Sequence, residues 1–79
     1  METILTVRLK TVDDVKNFST ATLSSPVTAE LISGRYTVDA KSIMGIFSLD
    51  LSMPLKLHIE GSRDDVDNYY DSISEYIIE

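Results

Sequence analysis

Apolar and polar residues follow two different periods along this sequence. Alternation of apolar and polar positions is typical of strands that bury one face, and a period near 3.6 is typical of amphipathic helices. The alternating or β-prone segments predict strands over residues 3–10, 27–32, 36–38 and 55–60. The helical segments predict helices over residues 12–23, 42–49 and 63–78.

Hydroxyl residues mark the start of each predicted helix. Thr11 is followed three positions later by Asp14, and Ser62 is followed by Asp65, so both pairs are variants of the capping box. Ser42 stands directly before apolar residues, as an N-cap residue does. Between the second and third strands, Ser33-Gly34 predicts a two-residue hairpin turn.

The first and last helices each carry an apolar stripe that predicts which side chains are buried. In the first helix the stripe contains Val12, Val15, Phe18 and Thr22. In the last helix it contains Val66, Tyr69, Tyr70, Ile73, Tyr76 and Ile77. We therefore expect the tyrosines of the last helix to belong to the core or its rim and not to a binding surface.

The order β-α-β-β-α-β-α predicts an α+β fold. Each strand has one apolar face, so the three helices must cover one side of a four-stranded, mostly antiparallel sheet. The 79 residues form a single domain, because a chain of this length supports only one small core. The predicted architecture is an open-faced β-sandwich.

Composition excludes several classes of function. A net charge of −6, from 7 basic and 13 acidic residues, disfavours nucleic acid as a partner. The absence of cysteine excludes disulfides and thiolate chemistry, and with a single histidine we expect no metal or cofactor site. No apolar run reaches the roughly 20 residues of a membrane span, and no signal peptide is evident. We therefore expect a cytoplasmic protein without membrane contact.

Few residues of this chain suggest catalysis. His58 lies on the outward side of the last predicted strand, so we interpret it as an exposed strand residue. Asp13 and Asp14 are explained by the favourable interaction of acidic side chains with the N-terminal end of a helix.

The second predicted helix is unusual because it is short and apolar in almost every direction. Its apolar residues are Ile43, Met44, Ile46, Phe47 and Leu49. One or two of them must remain at the surface, which indicates a contact face. Ser42, at the start of this helix, is either a purely structural cap or a phosphate acceptor whose added charge the helix N-terminus would tolerate.

The segment of residues 39–51, DAKSIMGIFSLDL, together with the predicted topology, resembles the HPr family of bacterial phosphocarriers. It is most similar to the Gram-positive members, whose serine is phosphorylated by a dedicated kinase. Gly34-Arg35 and Glu60-Gly61 fit the family as well. The resemblance implies that Ser42 is the regulatory phosphorylation position. It also implies that Ile43, Met44 and Phe47 form a patch that docks protein partners.

The resemblance fails at the first helix. The family places its phosphate-accepting histidine at the helix N-cap, followed by arginine and proline, and here these positions hold Thr11, Asp13 and Asp14. Threonine cannot form a phosphoramidate. Two acidic residues would repel a phosphate 4–5 Å away by about 3–4 kcal/mol each at an effective dielectric of about 20. Asp50 also replaces the glycine that often ends the second helix, so we expect that helix end to be reshaped.

The sequence thus predicts a bacterial HPr-like protein that is neither an enzyme nor a histidine phosphocarrier. It would act as a regulatory or docking module through Ser42 and the second helix, with an HPr serine kinase or a transcriptional regulator as the protein partner. One alternative is a structural or interaction domain in which Ser42 is only a helix cap. A further alternative is an active phosphocarrier.

Overall fold

The strands and helices follow one another in the predicted order. The computed structural model describes residues 1–78. Its elements are β1 (Glu2–Val7), α1 (Val12–Leu23), β2 (Thr28–Ser33), β3 (Tyr36–Asp39), α2 (Ile43–Phe47), β4 (Leu55–Glu60) and α3 (Arg63–Ser72), followed by a single 3-10 turn (Ser74–Tyr76). The predicted βαββαβα order is confirmed.

The four strands form one sheet in the order β1-β4-β2-β3, and every neighbouring pair is antiparallel. One row of paired residues crosses the whole sheet: Leu5, Leu57, Leu31 and Val38. These apolar side chains face the helices. The adjacent row has the opposite parity and faces away from the helices, so the sheet is covered on one side and open on the other.

The core lies between the sheet and the three helices. Leu55, Leu57 and Ile59 of β4 are buried against side chains of the helices. The buried helix residues include Val15, Phe18, Ile46, Val66 and Tyr69. Phe18 and Tyr76 meet edge to face with ring centroids 5.9 Å apart, a favoured aromatic geometry. Val12, predicted to be buried, is 57% exposed because it begins the first turn of α1, beyond the edge of the core.

The hairpin turn between β2 and β3 lies one residue later than predicted. Ser33 pairs with Tyr36, so the two-residue loop is Gly34-Arg35 and not Ser33-Gly34. Gly34 has φ of 60°, a left-handed conformation that glycine adopts without steric cost. The glycine therefore takes the first loop position, which requires a positive φ in hairpins of this length.

The last helix is shorter than the predicted 63–78. It ends at Ser72, and the chain then makes the 3-10 turn and extends along β1. The Arg8 N–H donates to the Tyr76 carbonyl (2.8 Å) and the Ile78 N–H donates to the Thr6 carbonyl (2.9 Å). β1 is an edge strand, and these bonds satisfy backbone groups that a continuous helix would leave unpaired. No helix among residues 1–78 is long and apolar enough to cross a bilayer.

Two of the three tyrosines in the predicted stripe are buried, while Tyr70 is 38% exposed. The Tyr69 hydroxyl lies 2.6 Å from Thr22 Oγ1, which itself donates to the Phe18 carbonyl. Since the threonine proton is used in that bond, the Tyr69 hydroxyl is the donor to Thr22. Burial raises the pKa of Tyr69 to about 12. Burial and the neighbouring Glu75 raise the pKa of Tyr76 to about 12 as well.

Tyr69 makes the stability of the fold sensitive to alkali. The unfolded tyrosine ionises near pH 10, so stability is intact below that pH and decreases as the pH approaches 12. We expect Tyr69→Phe to lose about 1 kcal/mol at pH 7 and to show a shallower decrease at high pH. Urea unfolding at pH 7, 10 and 11.5 measures both effects. Tyr70→Phe is the matched control, and equal alkaline losses in both variants would contradict the assignment.

Candidate functional site

The chain enters α2 through a tight network of local hydrogen bonds. The side chain of Asp39 accepts from the Lys41 N–H (2.8 Å), and its carbonyl accepts from the Ser42 N–H (3.0 Å). Ser42 is extended, with φ −97° and ψ 108°, and its Oγ accepts from the Gly45 N–H at 3.0 Å. The predicted N-cap role of Ser42 is thus present in the structure.

Contacts on the inner side of α2 and of the residues that lead into it hold this segment against the sheet and α1. The Ala40 N–H donates to the Ala29 carbonyl of β2, and the Ser19 hydroxyl of α1 donates to the Lys41 carbonyl. Ile46 is fully buried. Gly45 packs so closely that a Cβ there would lie 3.2 Å from both Ser42 Oγ and Val38 Cβ. The segment is therefore held in place, and its outer side chains are presented on a fixed backbone.

The outer side of α2 carries three apolar side chains in contact with solvent. Met44 is 82% exposed, Phe47 is 42% exposed and Ile43 is 38% exposed. We call these three residues the α2 patch. The Ser42 side chain next to the patch is exposed too. Ile46 and Leu49 are buried, so the short helix divides its apolar residues between the core and the surface.

The end of α2 lies two residues before the predicted end at residue 49. The helix ends at Phe47 with Ser48 as its C-cap, and no residue other than Gly34 has a positive φ within 1–78. Asp50 instead accepts hydrogen bonds from the Ser52 hydroxyl (2.6 Å) and N–H (3.1 Å). These bonds hold the pKa of Asp50 below its usual range.

The start of α1 is closed by its own acidic side chain. Thr11 Oγ1 accepts from the Asp14 N–H (3.0 Å), and Asp14 Oδ2 accepts from the N–H groups of Lys10 (2.9 Å) and Thr11 (3.3 Å). This is a complete capping box. A phosphate at this helix start would therefore lie beside the Asp14 carboxylate, a like charge.

Two cations near Thr11 were not singled out from the sequence. Arg8 and Lys10 line a cleft together with Asp14, Glu75 and Tyr76. The Arg8 guanidinium donates to the Ser52 carbonyl at 3.1 Å. In the sequence, only the polar residues that follow β1 indicate this cleft. Its two cations face two carboxylates, so the cleft has no net excess of positive charge for a phosphate.

His58 differs from the exposed strand residue that we predicted. Its parity is as predicted, since it lies on the open face of the sheet. Its side chain, however, is only 20% exposed, and three carboxylates surround it. The pairing of β4 with β1 and β2 brings Glu2 and Glu30 next to His58. Neither the local pattern nor the spacing of the sequence predicts this arrangement.

The fold is HPr-like by comparison with solved structures. HPr-C-His from Thermoanaerobacter tengcongensis superposes with a TM-score of 0.74 at 25% identity, covering 95% of this chain and 88% of that one. The phosphocarrier protein HPr from Bacillus anthracis gives 0.72 at 24% identity, covering 99% and 96%. The mycoplasma histidine-containing phosphocarrier protein gives 0.68 at 13% identity, covering 95% and 89%. No protein-family model and no curated protein sequence matches the chain.

The cap hydrogen bond of Ser42 should contribute measurably to stability. We expect Ser42→Ala to lower the free energy of unfolding by about 1 kcal/mol, because the Gly45 N–H loses its acceptor. Ser42→Asp should retain most of that stability, since aspartate caps helices well. Urea unfolding of the three proteins provides the measurement. Equal losses in both variants would contradict the capping role.

Proposed function

We propose that this chain is a regulatory or docking protein of the bacterial phosphotransferase type, acting through Ser42 and the α2 patch. In this proposal it has no catalytic activity and does not carry phosphate at Thr11. The observation that carries the proposal is the contrast between two helix starts. α2 presents the exposed Ser42 hydroxyl beside exposed apolar side chains and has no acidic residue in its first turn. At the start of α1, by contrast, the Asp14 carboxylate lies against the backbone and accepts from the N–H groups of Lys10 and Thr11.

The chemistry at Thr11 argues against phosphate transfer there. A phosphocarrier needs a nucleophile whose phosphorylated form passes the group on readily, and threonine has no imidazole nitrogen for this. A phosphate on Thr11 would also lie beside the Asp14 carboxylate, which accepts from the N–H groups of Lys10 and Thr11. Displacing that carboxylate would break the capping box and leave a like charge beside the phosphate.

The α2 patch supports docking because its apolar side chains are exposed without a structural need. Full burial of one such side chain contributes about 1.5–3 kcal/mol to an association. The backbone below the patch is fixed by Ile46 and by the bond from Ser19 to Lys41, so little order is lost when a partner binds. A flat or shallow apolar surface on the partner would match this patch.

Ser42 is placed to control such docking. A phosphoryl group would add a charge of about −1.5 to −2 immediately beside the α2 patch. Partners that bury the patch with apolar groups would be disfavoured by the cost of desolvating this charge. A partner that offers arginine side chains next to an apolar surface would be favoured. We propose a serine kinase of the HPr type, or a transcriptional regulator, as the protein that uses this position.

A second candidate function has its own observation. Ser42 makes a complete N-cap hydrogen bond, and such a bond needs no regulatory role to explain it. In that case the chain is a structural or interaction domain that works through the α2 patch alone. Phosphate transfer by the chain is the third candidate, and the closed capping box of α1 disfavours it.

Phosphorylation assays separate the three candidates. We expect label from ATP and a Gram-positive HPr serine kinase to appear on the wild type and to vanish in Ser42→Ala. Ser48→Ala is the matched control, because Ser48 is an exposed serine at the other end of the same helix and should leave the label unchanged. Unchanged labelling of Ser42→Ala would place the phosphate elsewhere and contradict the proposal.

The companion reaction uses phosphoenolpyruvate and the general phosphotransfer enzyme. We expect no label on the wild type, since Thr11 cannot form a phosphoramidate. Label in this reaction would establish a phosphocarrier. Absence of label in both reactions would favour the structural role of Ser42.

Docking through the α2 patch predicts a strong effect of its most exposed side chain. Met44→Ala should weaken binding to the serine kinase about tenfold, or about 1.4 kcal/mol, with little change in stability because the side chain is 82% exposed. Leu23→Ala, at an apolar position 61% exposed at the end of α1, is the control. Surface plasmon resonance gives the dissociation constants, and equal effects of both variants would argue against this patch.

A further inference from the structure

The open face of the sheet holds a cluster of one imidazole and three carboxylates on adjacent strands. His58 and Glu60 come from β4, Glu2 faces Glu60 on β1, and Glu30 faces His58 on β2. We call these four residues the open-face cluster. All four have the same strand parity, so their side chains lie on the side of the sheet that the helices do not cover. The cluster has no part in the function proposed for Ser42.

Two of the carboxylates face the same imidazole nitrogen. Glu2 Oε2 lies 3.3 Å from His58 Nε2, and Glu60 Oε1 lies 3.6 Å from it. The ligand atoms of His58, Glu2 and Glu60 all lie within 4.8 Å of one another. Ligand atoms bound tetrahedrally at about 2.1 Å from a zinc ion are about 3.4 Å apart, so these three need little movement to share one ion.

The third carboxylate is placed to orient the imidazole. Glu30 Oε1 lies 3.6 Å from Nδ1, the ring nitrogen on the opposite side from Glu2 and Glu60. With the ring proton on Nδ1 and directed at Glu30, the lone pair of Nε2 faces the two other carboxylates. Histidines that bind metals commonly have this arrangement, in which a carboxylate accepts from the nitrogen that does not bind the ion.

Among residues 1–78, no lysine or arginine side chain neutralises the carboxylates of the open-face cluster. Within residues 1–78, no lysine or arginine nitrogen lies within 4.0 Å of these three carboxylates. Lys56 shares the open face, but its ammonium donates to Thr6 Oγ1 at 3.0 Å. Even a charged imidazole would leave an excess of two negative charges. The His58 side chain is 20% exposed and the three carboxylates are more exposed than it, so an ion can reach the cluster from solvent.

We propose that the open-face cluster binds a divalent transition-metal ion, with Zn²⁺ as the preferred ion. His58 Nε2 and one oxygen each from Glu2 and Glu60 would be the ligands, and Glu30 would orient the imidazole. An imidazole ligand selects zinc and its neighbours over magnesium and calcium, which prefer oxygen ligands alone. Three protein ligands leave a fourth position for water.

Calorimetric titration of the untagged full chain with ZnCl₂ at neutral pH tests the proposal. We expect one equivalent to bind and MgCl₂ to give no comparable binding. His58→Gln should weaken zinc binding by more than about tenfold, and Glu30→Gln by about tenfold. Zinc should also raise the thermal midpoint of the wild type and leave that of His58→Gln nearly unchanged.

A matched control separates a built site from general attraction to an acidic protein. Asp67→Asn removes one negative charge from an exposed position on α3, on the covered side of the sheet, and should leave zinc binding unchanged. Circular dichroism confirms that each variant is folded, and Glu60→Gln replaces His58→Gln if that variant is not. Unchanged zinc binding in the folded ligand variant, equal binding of magnesium, or equal weakening in Asp67→Asn would overturn the proposal.

Discussion

The register of β4 determines both faces of the sheet, the one that the helices cover and the open one. All six residues of β4 are paired with β1 and five of them with β2, so the strand is fixed relative to both neighbouring strands. A shift by one residue would exchange the faces of the strand and bury His58 in place of Leu57. The row of Leu5, Leu57 and Leu31 makes that shift unfavourable. The same register sets the helix-covered core and the composition of the open face.

The three helices α1, α2 and α3 start with the same capping device, and they differ in the residue three positions after the cap. Thr11 and Ser42 are both extended hydroxyl residues whose oxygen accepts from the N–H three positions later. In α1 that third residue is Asp14, whose carboxylate returns to the backbone and completes the box. In α2 it is Gly45, and the first turn contains no acidic residue. At α3, Asp65 stands three positions after Ser62, but only the Ser62 half of the predicted capping box forms. An acidic residue at this position therefore allows the complete box without ensuring it.

Local sequence pattern predicted most elements because their signals are local. The capping residues and the apolar period predicted α1 at residues 12–23, as observed. The alternation of apolar and polar residues predicted which face of β4 is buried. The pattern failed where non-local pairing decides the outcome. The apolar residues after Ser72 fit a helical stripe, but bonds to β1 stabilise an extended chain there. The surroundings of His58 escaped prediction for the same reason, since Glu2 and Glu30 are remote from it in sequence.

The two candidate surfaces lie on opposite sides of the sheet and are connected through β2 and β3. Glu30 pairs with Asp39, and Asp39 holds the backbone of Lys41 and Ser42. Contact of this kind is not sufficient for coupling, which requires an element with two alternative arrangements. The two-residue hairpin loop fixes the register of β2 and β3, so this pair does not supply a second arrangement. Occupation of the open-face cluster should therefore add to the stability of the sheet without changing the exposure of Ser42.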